Sequence, residues 1–213
     1  MKLYICGDSF GVPDPQYGPS WADLLQEKIS ADIVNLCVVG ASNLLISLQV
    51  DAAVQSADAV IYLATAATRT KLRAAPGSGA LLEQFKSNAL TAVSLHSLDN
   101  TTCLTSAQLA VAHAYYKEFN DLDLDIYRSQ CIIESTLYRL VHTGIPWIYD
   151  QAGFEHPIYS TGKKYFQEYN RYCSNINIWD YAQSRNYRPY YHITDVAIHH
   201  KIADYYAQTF NNI

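Results

Sequence analysis

The sequence predicts an α/β fold built on a parallel sheet. Short apolar runs rich in β-branched residues recur along the chain, stretches with apolar residues at helical spacing separate them, and Gly, Asn, Asp or Ser punctuates the junctions. Strand, helix, strand, helix, strand is the resulting order, which implies right-handed crossovers between parallel strands. At 213 residues the chain has the size of one domain, residues 1–213, with a sizeable core.

The first run, Leu3-Tyr4-Ile5-Cys6, reads as a buried strand, and Gly7-Asp8-Ser9 breaks it. Trp21, Leu24, Leu25 and Ile29 then recur at helical spacing, with Ser20 as N-cap. Ile33 to Val39 is a second strand, ending at Gly40-Ala41-Ser42-Asn43, and Leu44, Leu45, Leu48 and Val54 carry a second helix. Ala57 to Ala64 is a third strand. Residues 74–104 read as an insertion or lid, flexible through AAPGSGA and helical in pattern through LLEQFKSNALTAVSLHSL. From Ser106 to Leu140 two helical stretches flank Asp121-Leu122-Asp123-Leu124-Asp125. That acidic link reads as a solvated helix start, because the glycine and terminal glutamate of a calcium loop are missing. A Gly144-Ile145-Pro146 turn opens a fourth strand through Asp150, a helix covers Lys163 to Tyr172, and Ile176 to Asp180 is a fifth strand. The last helix starts at Thr194 or Asp195 and turns Ile198, Ile202, Ala203, Tyr206 and Phe210 inward.

Composition narrows the function. A net charge of -5 leaves no basic footprint for nucleic acid. No apolar run approaches the ~20 residues of a membrane span. The N-terminus enters a strand directly, without a leader pattern, so a cytoplasmic location is expected. Five cysteines, widely spaced and without a C-x-x-C pair, argue against a disulfide framework and a structural zinc site. The 18 tyrosines are consistent with a sugar groove and with ordinary helix–sheet packing.

A serine on a strand-to-helix turn holds its hydroxyl at the carboxyl edge of a parallel sheet, where open α/β folds bind ligands. Backbone N–H groups at the start of the next element point to the same place and can stabilise an oxyanion. The competing reading makes Asp8 and Ser9 caps of a turn. Gly7-Asp8-Ser9-Phe10 resembles the Gly-Asp-Ser block that opens the SGNH (GDSL-type) hydrolases, at the place where that family has it. The resemblance spans nearly the whole chain and implies a flavodoxin-like three-layer sandwich with a five-stranded parallel sheet. It also implies ester hydrolysis with Ser9 as nucleophile and no metal or organic cofactor. Gly40, ending the second strand, matches the family's second block, so the N–H groups of Ser9 and Gly40 would be the oxyanion donors. His192, on a loop ahead of the last helix, matches the final block and would be the general base. His199, in phase with Val196 and Ala203, reads instead as a packed histidine.

Two family features are absent. The third block, Gly-x-Asn-Asp, aligns with Ala64-Thr65-Ala66-Ala67 followed by Thr68-Arg69, so its oxyanion asparagine is missing. Asp8, Asn43, Thr65, Thr68 and Arg69 are the candidates for substrate contact on this edge, Asn43 with helix capping as its other reading. The aspartate usually three residues before the histidine is Pro189 here, leaving Asp180 and Asp150 as candidates for the acid behind the ring. The resemblance therefore implies a serine esterase or deacylase acting on an oxygen ester of a small molecule or carbohydrate, such as an O-acetyl group on a sugar. The alternative is a catalytically impaired module that keeps the fold for binding or structure.

Overall fold

The computed structural model describes residues 1–14, 18–73, 90–93, 104–151, 173–177, 193 and 195–211. Five parallel-sheet segments organise them: β1 (Lys2–Cys6), β2 (Asp32–Asn35), β3 (Ala59–Ala64), β6 (Trp147–Gln151) and β7 (Cys173–Asn177). A separate antiparallel pair is formed by β4 (Thr70–Arg73) and β5 (Leu90–Val93). The α-helices are α1 (Trp21–Ile29), α2 (Asn43–Ala53), α3 (Ser106–Glu118), α4 (Leu122–Thr143) and α5 (Val196–Asn211).

The main sheet has the order β2-β1-β3-β6-β7, so the chain moves outward from β1 in one direction and then, from β3, in the other. The reversal lies between β1 and β3, and the crevice outside their carboxyl ends is the expected ligand position in such sheets. Strand alternation divides the core between the two faces. Leu3, Ile5, Ile61, Leu63 and Ile148 pack with Trp21, Leu25, Ile202 and Tyr206 of α1 and α5. Tyr4, Cys6, Val60, Tyr62, Trp147 and Tyr149 face Leu45, Ile46, Val50, Ile133, Leu137 and Leu140 of α2 and α4. Each such side chain, fully buried, contributes roughly 1.5–3 kcal/mol.

Local sequence accounts for the helix boundaries. Ser20 and Asp23 form a reciprocal capping box at α1, and Asp121 accepts from the Leu124 N–H at the start of α4. Gly144 ends α4 at φ 71, a left-handed position that favours glycine. Asp195 Oδ1 accepts from the Ala197 N–H at 2.8 Å, capping α5.

Three sequence expectations need correction. The continuously registered sheet has four strands, β2, β1, β3 and β6, where five of equal standing were predicted. β7 joins β6 through Tyr149↔Cys173 and Gln151↔Asn177 with a register shift between them. It contains only Ile176 and Asn177 of the strand predicted at Ile176–Asp180; the remainder lies outside the described residues. β2 stops at Asn35, four residues before the predicted end, because Asn35 Oδ1 accepts from the Cys37 N–H at 3.0 Å and turns the chain. The pattern read as helical in the insertion includes Leu90–Val93, which is a strand paired with Thr70–Arg73; its β-branched Thr91 and Val93 favour that state. The predicted helix from Lys163 to Tyr172 lies outside the described residues.

Candidate active site

The turn after β1 carries the site. Asp8 caps a single 3-10 turn, Ser9–Gly11, by accepting the Phe10 N–H on Oδ1 at 3.0 Å. Two close approaches require glycine here. A methyl group on Gly11 would lie 2.2 Å from Cys37 Sγ, and one on Gly7 would lie 2.9 Å from Leu63 Cβ. Both positions are therefore closed to side chains, and the turn sits tight on the sheet edge.

Asp8 is fully buried and Ser9, also buried, keeps 8% exposure. Among the described residues no hydrogen bond engages the Ser9 hydroxyl. Asp8 Oδ2 instead accepts from Thr65 Oγ1 at 2.5 Å and from Arg69 Nη1 at 3.1 Å. The same Arg69 nitrogen donates to the Ala41 carbonyl at 2.6 Å. Ala41 closes a turn by donating its N–H to Val38 O at 3.0 Å, and Gly40 within it has φ 74, a left-handed position that favours glycine.

Two amides of α2 fasten the strand ends, and the sequence reading missed what they do. Gln49 Oε1 accepts from the Gly7 N–H at 2.7 Å and its Nε2 donates to the Gly7 carbonyl at 3.2 Å. Asn43 repeats the pattern after β3: its Oδ1 accepts from the Thr65 N–H at 2.8 Å and its Nδ2 donates to the Thr65 carbonyl at 2.8 Å. Nδ2 also donates to Ser129 Oγ at 2.6 Å, tying α4 to the same point. The only sequence signal for Gln49 is a polar residue within an apolar helical stretch.

The structure thus brings Asp8, Asn43, Thr65 and Arg69 together in one hydrogen-bonded network. Asp8 and Thr65 are fully buried and bonded to each other, and Asn43 is 3% exposed with both ends of its amide engaged. They shape the site from beneath. Asn43 is not the cap of α2: Ser42 is, accepting from the Leu45 N–H. Thr68 sits in the turn after β3 and is partly exposed. A cleft of about 150 Å³ opens beside Asn43 and Arg69, with Ala67, Tyr115, Asp125, Arg128, Ser129 and Ile132 also on its walls.

His192 and Asp180 lie outside the described residues, but Ile193, next to His192, does not. Ile193 is buried in the same core cluster as Phe10, which follows Ser9. A chain of hydrogen bonds joins the two. His199 Nε2 donates to the Ile193 carbonyl at 3.2 Å, the Trp21 N–H donates to His199 Nδ1 at 3.0 Å, and Trp21 Nε1 donates to the Phe10 carbonyl at 2.8 Å. His199 is thus neutral, 8% exposed and engaged at both nitrogens, the packed histidine that its helical phase predicted. Burial pushes its pKa below the usual imidazole value. Asp150, at the end of β6, is 1% exposed and accepts on Oδ2 from the Tyr206 hydroxyl at 2.7 Å. Burial, followed by the charge of Asp150, pushes the Tyr206 pKa well up.

Neither a protein-family model nor a curated protein matches the chain. The chain is similar to a solved structure from Desulfitobacterium hafniense DCB-2, provisionally described as a lipolytic protein of the G-D-S-L family. Identity is 13%, the match covers 98% of both chains and the TM-score is 0.48. A likeness at that level carries no argument about activity. Among the described residues, no helix is long and apolar enough to cross a membrane.

Proposed function

We propose that this chain is a serine ester hydrolase of the SGNH (GDSL) type, with a flavodoxin-like arrangement of its sheet and helices. The observation that carries the reading is the bridge through Trp21 and His199. It ties the chain neighbours of Ser9 and His192, almost a whole sequence apart, into one core. In this reading Ser9 Oγ gives its proton to a ring nitrogen of His192 as it bonds to the acyl carbon. The carbonyl electron pair moves onto oxygen, beside the N–H groups of Ser9 and Gly40. Collapse breaks the ester C–O bond, and the departing alkoxide takes the proton from the imidazolium. Water then repeats the sequence, releasing the acid and restoring Ser9.

Asp150 and Asp180 are the acids to set behind the ring; buried Asp150 is on the strand whose Ile148 shares the core with Ile193. The substrate is a small-molecule or carbohydrate oxygen ester. One observation favours the second reading, a module of low or lost activity: Thr65 gives its hydroxyl proton to Asp8, so it does not replace the oxyanion asparagine. Aryl acetates test between them. Hydrolysis that disappears in folded Ser9→Ala and His192→Ala variants supports the enzyme; a folded wild-type protein without hydrolysis supports the module.

A further inference from the structure

Ala66 stands where the family's asparagine would be and Thr65 beside it is already bonded to Asp8, yet the loop behind them supplies another group. We propose that Arg69 is a positioning residue which fixes the nucleophile turn against the Gly40 turn, so that the two N–H donors are held in register without a third. This inference rests on the hydrolase reading. A single nitrogen, Arg69 Nη1, touches Asp8 Oδ2 at 3.1 Å and the Ala41 carbonyl at 2.6 Å. Asp8 is one residue from Ser9, and Ala41 is one residue from Gly40. The loop after β1 and the loop after β2 thereby share one cation.

The latch is protected enough to work as a fixed element. Asp8 is fully buried and the Arg69 side chain is 15% exposed, so the ion pair is shielded from solvent and is not a floppy surface contact. Thr65 and Asn43 hold the remaining side: Thr65 donates to the same Asp8 oxygen, and Asn43 pins the Thr65 backbone. Arg69 does not reach the reacting atoms in this scheme. It sets the spacing of groups that do, and oxyanion donors act only when they meet the position the charge will occupy. A cation of different reach cannot hold both acceptors at these distances.

The test uses the full chain and Arg69→Gln, which can serve one acceptor and not both. A displacement of catalytic groups by about 1 Å costs ~100-fold, so kcat for aryl acetate should fall by about that factor while KM stays within about threefold. The rate of fluorophosphonate labelling at Ser9 should fall in proportion, and added guanidinium at millimolar concentration should restore part of both. A kcat within tenfold of wild type overturns the proposal, as does a loss confined to KM. If Arg69→Gln melts below the assay temperature, Arg69→Lys decides: a loss greater than about tenfold supports the latch and a smaller one overturns it. Wild-type protein that neither hydrolyses aryl acetate nor takes the label ends the hydrolase reading and the latch with it. Active wild type with an equally active Arg69 variant ends the latch alone.

Discussion

Replacing Gln49 with methionine keeps a side chain of similar length and removes the amide's carbonyl and amino groups. In the folded protein those groups satisfy both backbone groups of Gly7, the N–H at 2.7 Å and the carbonyl at 3.2 Å. Gln49 is 1% exposed, so water does not readily replace it. A buried backbone group left without a partner costs ~1–3 kcal/mol. The Gly7 carbonyl keeps its bond from the Val38 N–H at 3.2 Å, so the orphaned Gly7 N–H sets the expected loss at about 1–3 kcal/mol, a sizeable part of the ~5–15 kcal/mol that holds a domain folded. Urea unfolding followed by circular dichroism measures it, with the slope unchanged and the midpoint lowered. Asn43→Leu should behave alike, because Asn43 makes the same two-point pairing with Thr65. A Gln49→Met protein within about 0.5 kcal/mol of wild type, the range of ordinary surface substitutions, would refute the reasoning.

Gly11→Ala should destabilise by about 1–3 kcal/mol, the usual cost of overpacking, because its methyl group would meet Cys37 Sγ at 2.2 Å. Unfolding of the Gly11→Ala, Cys37→Ala double variant should recover part of that loss, and full additivity of the two losses would contradict the contact. His199 has a lowered pKa in the fold, so the unfolded chain binds its proton more readily. Its contribution is fully present above the unfolded value of ~6.5 and is lost as pH falls below it. Urea midpoints should therefore drop between pH 7.5 and 5.5 in wild type, and less so in His199→Met, which starts lower. Burial raises the thiol pKa of both Cys6 and Cys37, whereas Cys131 is exposed. Brief treatment with a thiol reagent at pH 8 should mark Cys131 before either of them, as peptide mapping would show.

The apolar runs Leu3–Cys6, Ala59–Ala64 and Trp147–Tyr149 were legible because strands buried on both faces need continuous apolar sequence. Ser20 and the helix start at Asp121 were legible because capping is local chemistry, decided within a few residues. What escaped depends on partners far along the chain. Nothing in the helical pattern of α2 shows that Gln49 will meet Gly7, or that Asn43 will meet Thr65 and Ser129. Asp8, Thr65 and Arg69 were recognisable as polar groups at the right sheet edge, but residue type does not say whether a group faces outward or its neighbours. Burial decided that: Asp8 and Thr65 are turned into the protein. Asn35 shows the same limit at smaller scale, since a side-chain bond to the Cys37 N–H ended a strand that propensity would have continued.

The central claim of the proposed function is that Ser9, next to buried Asp8 at the carboxyl edge of β1, is an activated nucleophile. Intact-protein and peptide mass spectrometry after incubation with an alkyl fluorophosphonate tests it most directly. The result expected is one adduct per chain, located on Ser9 and lost in Ser9→Ala and His192→Ala. An unmodified Ser9 in folded wild-type protein, or an adduct that persists unchanged in His192→Ala, would contradict it.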